Sequence, residues 1–307
     1  MVGVQAASLL PQRARLAGAP ISWGVCEVPG WGPMLSAARV LSEMAELGLE
    51  GTEFGAPGFL PDDPGELAAL LGRFGLAAVG GFVPLVLHQP DSSGGLAGAR
   101  VAIERFALAG GEVIALALVE DMAWSAPSEL DADAWKWLDE HIQQVDALAA
   151  ERGIKVAMHP HVGTLVETAE QVSRALEELH VGWCLDTGHL LIGGFDPVEF
   201  VRRHADRVVH VHLKDVDFAA ASRVRAGGQS LLEATRAGLF RPLGQGDVDV
   251  KAVIGELIAV DYDGWLVLEQ DTALTGEEPT VGGGPMLDVK ASIAFVQGLA
   301  QTKEEWV

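Results

Sequence analysis

The chain has 307 residues, 49% of them hydrophobic, with a mean hydropathy of +0.24, which is ample for one sizeable core. Only 6% are aromatic, so that core is built mostly of Leu, Val, Ile and Ala. A net charge of −22 repels phosphate backbones and argues against a nucleic-acid partner. No run reaches the 18 or so apolar residues of a membrane span. Arg13 and Arg15 follow the short apolar stretch near the start instead of preceding it, which does not suit a secretory leader; the expected location is the cytoplasm. Cys26 and Cys184 lie far apart, outside any CxxC spacing, so neither a disulfide framework nor a zinc finger is expected.

Residues 1–18 read as an N-terminal extension, and strand-like and helix-like segments alternate from residue 19 onward. Strands are predicted at 19–24, 49–54, 76–83, 112–118, 154–159, 181–186, 207–213 and 264–269. Amphipathic stretches lie between them, for example at 34–48, 66–75, 98–111, 134–153, 167–180, 197–205 and 250–261, several ending at or before Gly. The strands are short and almost continuously apolar, as in a parallel sheet buried on both faces. Eight such repeats about 30 residues apart predict an α/β fold, a single-domain (β/α)8 barrel over 19–307. No GxGxxG follows a strand, which sets the doubly wound alternative aside. Residues 216–250 form one long irregular connection after the seventh strand, which a barrel would place over its active site.

Four of the predicted strands turn from apolar to metal-friendly at their C-terminal ends. They are KVAMHPH with His159 and His161, VGWCLDTGH with Asp186 and His189, RVVHVHLKD with His210, His212 and Lys214, and GWLVLEQD with Glu269. A barrel keeps its active site at that end of its strands. Imidazoles and carboxylates converging there suit one divalent cation in a mixed nitrogen and oxygen shell.

Each residue also has a plainer reading. Asp186 and His189, three apart, fit the opening of the next helix, where the plain role of an Asp is a cap. His210 and His212 point to the same side of their strand; His212, nearer the end, is the better ligand, and His210 is either its partner or a packed histidine. Lys214 continues that face, beside the metal or as a solvated loop lysine. Glu269 closes an apolar strand, where a carboxylate is costly unless paired or bound to a cation. In the N-terminal half Trp23, Glu53 and His88 are weaker candidates for substrate contact, Trp23 as an apolar wall for a sugar ring. Trp135 and Trp137 fit a helical packing pattern, and Asp62 and Asp63 before Pro64 fit a turn and cap.

The chain resembles the sugar-phosphate isomerase/epimerase superfamily, the xylose-isomerase-like barrels. PISWG (20–24), LSEMAELGLEGTEFG (41–55), HPHVGTLVET (159–168), LDTGHLLIGGFDP (185–197), HVHLKDV (210–216) and RAGLFRPLGQGDVDV (236–250) carry the likeness. Within the superfamily it is most similar to the inosose dehydratase branch. The resemblance implies a barrel holding one Mn²⁺ or Co²⁺, with Zn²⁺ or Mg²⁺ as alternatives. In the epimerases the ligands are Glu, Asp, His and Glu; the last three fall on Asp186, His212 and Glu269, and the first falls on His159. That departure removes a carboxylate that doubles as an acid/base and shifts weight to dehydration of a cyclic polyol ketone such as 2-keto-myo-inositol. His159, His161 and Glu167 all stay open as the first ligand.

On that reading His161, His189 and Lys214 are the acid, base and electrophile candidates, in no fixed order. Glu53, Trp23, His88 and Arg241 would meet the substrate. A ketose 3-epimerase or sugar isomerase is the second reading, and a sugar-binding barrel without turnover the third. The expected partner is a small polyol or sugar, with neither nucleic acid nor membrane, and the apolar helix faces leave room for a homo-oligomer.

Overall fold

The computed structural model describes residues 15–299. Nine strand segments pair in parallel: Arg15–Gly18, Gly51–Thr52, Ala77–Ala78, Gly80–Leu85, Val113–Leu118, Lys155–Met158, Gly182–Asp186, Val208–Leu213 and Trp265–Leu268. Ala77–Ala78 and Gly80–Leu85 are two parts of the third barrel strand, joined at Val79. There the ring closes. The Val79 N–H donates to the Thr52 carbonyl, and the Val79 carbonyl accepts from Glu112 and Val113. Gly80 lies at φ +140, and a Cβ there would stand 1.8 Å from the Val113 carbonyl oxygen, so glycine is what lets the third and fourth strands meet. The result is the predicted eight-stranded TIM barrel in one domain.

The first strand is misplaced by the sequence reading. It is Arg15–Gly18, hydrogen-bonded to the second and eighth strands, and lies inside the stretch taken for an extension. Residues Pro20–Trp23, predicted as strand, form a 3₁₀ turn instead. Pro20 opens that turn, where its missing N–H costs nothing and its fixed φ fits. RLAG is four residues with a charged start, too short to register as an apolar run. Residues 1–14 of the expected extension lie outside the described residues.

Helices cover the barrel, and many begin on an aspartate whose side chain accepts an N–H of the first turn: Asp63, Asp131, Asp186, Asp196, Asp217 and Asp249. Part of the acidity is therefore capping, favoured by the positive end of the helix dipole. The large aliphatic side chains form the layer between strands and helices, while the barrel interior is small: Ala17, Ala19, Val79, Val113, Ala157, Cys184 and Val267. Trp265 closes the lower end, with the Arg15 guanidinium 3.9 Å from its ring centroid. The helix Pro285–Leu299 was absent from the predicted elements. Among the described residues no helix is long and apolar enough to cross a membrane.

The connection at 216–250 is ordered. Asp215–Val216 pairs antiparallel with Phe240–Arg241, and the helices Phe218–Arg225 and Leu231–Arg236 lie between them. Its anchor is Asp215, fully buried at the end of the seventh strand, which accepts backbone N–H groups from Val216, Gly244, Gly246 and Val248 at 2.9–3.0 Å. Replacing that carboxylate strands several amides at once. Asp215→Ala is expected to lose about 2–4 kcal/mol of unfolding free energy in urea titration. A loss below about 0.5 kcal/mol, the scatter of ordinary surface changes, would refute the anchoring role.

Candidate metal centre and active site

Alternation along each strand decides which side chains enter the barrel mouth. On the seventh strand His210, His212 and then Lys214 share the inward side, while Val211 and Leu213 join the outer layer. On the eighth, Trp265, Val267, Glu269 and Asp271 fall on one side by the same rule. Asp186 ends the sixth strand level with His212 and also caps the next helix, Thr187–Gly193. Its two oxygens divide the work. Oδ1 accepts the His189 N–H at 2.7 Å, and Oδ2 faces His159 Nε2 at 3.2 Å, His212 Nδ1 at 3.5 Å and Lys214 Nζ at 3.4 Å.

Asp186, His212 and Glu269 offer ligand atoms within 4.8 Å of one another, all buried. His212 Nδ1 and Glu269 Oε2 approach to 2.6 Å, yet neither has a well-aligned hydrogen-bond partner. Two buried donor atoms aimed at one region without bonding are what a cation would satisfy. Charge agrees. Four buried carboxylates (Glu53, Asp186, Glu269 and Asp271) crowd the Lys214 ammonium and the His212 imidazole, an excess of acidic groups that a divalent ion would offset. The donor set therefore fits a divalent metal held by Asp186, His212 and Glu269, with His159 beside Asp186.

Lys214 is fully buried. Burial opposes its charge, but Asp186, Asp271 and Glu269 outweigh it and hold the amine well above its ordinary pKa. Nζ lies 2.9 Å from Asp271, 3.0 Å from Glu269 and 3.0 Å from His189 Nε2. Its stem lies against Gly188, where a Cβ would come within 2.6 Å of it, so the Gly of DTGH makes room for the lysine. Burial also opposes charge on His212, yet Glu269, Glu53 and Asp186 raise its pKa well above the ordinary value. His189 is driven the other way by burial, then His161 and Lys214, and stays neutral. His161 is pulled down to about 3 by burial, with His159 and Lys214 adding repulsion. The His161 and His189 rings lie 3.8 Å apart between centroids.

His159, His161, Asp186, His189, His212, Lys214 and Glu269 thus come together. The other predicted contacts fare differently. Trp23 is fully buried and donates its indole N–H to Glu43 on the helix Ala37–Glu46, so it packs the barrel wall and presents no face to a ring. Glu53 is turned inward: its Oε1 accepts from His210 Nε2 at 2.9 Å and His212 Nε2 at 3.0 Å. His88 is buried on the loop after the third strand, 3.9 Å from Glu120, with no contact joining it to the cluster. Arg241, half-exposed and 3.4 Å from Asp217, shares the lining of a small cavity with Glu269 and Gln270. Glu167 accepts the Gly163 N–H at 2.8 Å and braces the His161 loop.

Two features escaped the sequence reading. Asp271 was legible by strand alternation, two residues past Glu269; burial pushes its carboxyl up to about 6, against the pull of Lys214. Phe82 and Trp124 had no such signal. Their rings stack at 6.0 Å, and Phe82 stands 5.6 Å from His159 and 5.3 Å from His161. Trp124 takes a left-handed backbone, φ 59, in a turn where Asp121 accepts the Ala123 and Ser125 N–H groups. Both rings are half-buried, whereas Trp23 is fully buried.

A (β/α)8 barrel with clustered metal-ligating side chains at its strand ends is the class that fold and site define. Residues 41–295 match the model of the xylose isomerase-like TIM barrel family, and the chain belongs to that family. It is 34% identical over 275 residues to the inosose dehydratase of Geobacillus kaustophilus (strain HTA426), covering 85% of this chain and 89% of that one. It is 31% identical over 261 residues to the rhizopine catabolism protein MocC of Rhizobium meliloti, covering 82% and 80%. The solved structure of an L-ribulose 3-epimerase superposes with a TM-score of 0.69 at 19% identity, covering 94% of each chain, a likeness of fold.

Both cysteines are unpaired, and burial pushes the Cys26 thiol up to about 12 and the Cys184 thiol up to about 11. Thiolate is the reactive form, so the fully buried Cys184 in native protein at pH 8 is expected to resist iodoacetamide and to be labelled only after denaturation, as read by mass spectrometry. Rapid labelling of native Cys184 would contradict its burial.

Proposed function

We propose that the protein is a metal-dependent hydro-lyase acting on a cyclic polyol ketone, most simply 2-keto-myo-inositol. The observation that carries the reading is the pairing of an inosose dehydratase likeness over 85% of the chain with His159, Asp186, His212 and Glu269 gathered at four strand ends. Mn²⁺ or Co²⁺ is the proposed ion, since a mixed imidazole and carboxylate shell suits such cations. Bound there, the ion supplies Lewis acidity toward the ketone oxygen.

The chain's own residues do the rest. His161, whose Nδ1 faces the Val162 carbonyl at 2.7 Å and so leaves Nε2 free, is the proposed base for the proton alpha to the ketone, while Nε2 of the second candidate, His189, is engaged by Lys214 Nζ at 3.0 Å. The Lys214 ammonium, locked by three carboxylates, supplies fixed positive charge for the developing enolate and is a poor mobile acid. The imidazolium formed in that first step returns its proton to the departing β-hydroxyl, which leaves as water, and the enol product relaxes to a diketone. Phe82 and Trp124 are proposed to cover the apolar face of the ring, and Arg241 to meet hydroxyls at the margin beside Glu269. A cytoplasmic location fits a catabolic role of this kind. An epimerase needs bases on both faces of one carbon, and His159 stands where that chemistry uses a carboxylate.

Purified protein mixed with 2-keto-myo-inositol and Mn²⁺ or Co²⁺ is expected to develop ultraviolet absorbance that a chelator abolishes. Asp186→Asn and Glu269→Gln should lose both bound metal and turnover. A fully metal-loaded protein that gives no absorbance rejects this substrate; conversion of a ketohexose would then favour the epimerase, and binding without conversion a non-catalytic barrel. Trp124→Ala is expected to raise KM about tenfold with little change in kcat, the signature of lost ring contact. An unchanged KM would remove Trp124 from the substrate wall.

A further inference from the structure

Glu53 is a buried carboxylate to which the proposed chemistry assigns no task. It follows the second strand, yet its Oε1 accepts from His210 Nε2 and His212 Nε2, both on the seventh. Those strands are not neighbours; the first and eighth stand between them. The carboxylate therefore reaches across the barrel interior, where the first strand contributes the small side chain of Ala17, followed by Ala19. Burying a charge to 4% exposure is costly, and packing alone would not repay it. The two nitrogens of His212 meet different partners: Nε2 meets Glu53, and Nδ1 lies 2.6 Å from Glu269 and 3.5 Å from Asp186. An imidazole presents a ligand lone pair on one nitrogen only if the other carries the proton, so the partner of Nε2 decides what Nδ1 can do.

We infer that Glu53 is a positioning residue: by accepting the Nε2–H of His212 it turns Nδ1 toward Asp186 and Glu269 as a metal ligand. His210 bonds to the same oxygen and keeps the carboxylate from rotating away. The inference rests on the metal-dependent reading above. Glu53, His210 and His212 also form a compact donor group of their own, so a second ion held there is the competing account.

Calorimetric titration with Mn²⁺ tests it on wild type and Glu53→Gln, with far-UV circular dichroism to confirm folding. Wild type is expected to bind one Mn²⁺ per chain, and Glu53→Gln to bind it about 10- to 100-fold more weakly with its fold intact. A folded Glu53→Gln with wild-type affinity overturns the inference and leaves the metal site standing. Two ions per wild-type chain, one of them lost in Glu53→Gln, overturn it in favour of a ligand role. A wild type that binds no Mn²⁺ brings down the metal-dependent reading first and this inference with it. Should Glu53→Gln not fold, the ¹⁵N spectrum of zinc-loaded wild type decides: a protonated Nε2 on His212 supports the inference, and a protonated Nδ1 overturns it.

Discussion

A lysine ammonium with no access to water must be neutralised where it stands, and Lys214 imposes that constraint on the barrel mouth. Asp186, Glu269 and Asp271 surround it, and each comes from a strand end that could not shift by one residue without turning its carboxylate into the outer apolar layer. Two of these carboxylates, Asp186 and Glu269, also converge on His212. One cluster therefore answers two requirements, a fixed positive charge and a nest of oxygen and nitrogen donors. Gly188 belongs to that solution as much as the charged groups do, because only a residue without Cβ lets the lysine stem pass.

The rest of the fold supplies rigidity for this polar centre. The interior below it is narrow, with Ala17, Ala19, Ala157 and Cys184, so the polar side chains stand on an apolar, close-packed floor. Around it the larger aliphatic residues lock strands to helices. Asp215 ties the long connection after the seventh strand to the barrel through four amides, which brings Arg241 beside Glu269. Low dielectric surroundings strengthen every charge interaction at the site, and they make each unpaired group expensive.

Errors in reading the sequence have identifiable causes. APISWG is apolar and looks like a strand, but Pro20 and the left-handed Gly24 make it a turn, and the short RLAG before it takes the sheet position. Trp23 suggests a sugar platform by its position near a strand end, whereas Glu43 claims its indole from behind. The partly exposed rings beside His159 and His161 are instead Phe82 and Trp124, the latter on a loop held by local turn bonds that no periodicity reveals. Asp271 is readable by the same alternation that places Glu269, two residues further on.

What the chain determines by itself is local: apolar runs about 30 residues apart, strands that end in His, Asp, His and Glu, and a DTGH step where a strand turns into a helix. These follow from backbone periodicity and from the chemistry of single residues, which need no partner to be read. Closure of the ring decided everything that depends on distance across it. Glu53 and His212 lie 159 residues apart, and nothing local to either says that one will hold the other. Only when the strands curve into a barrel do their inward faces share one small volume, and there the cost of burying charge selects which side chains must meet.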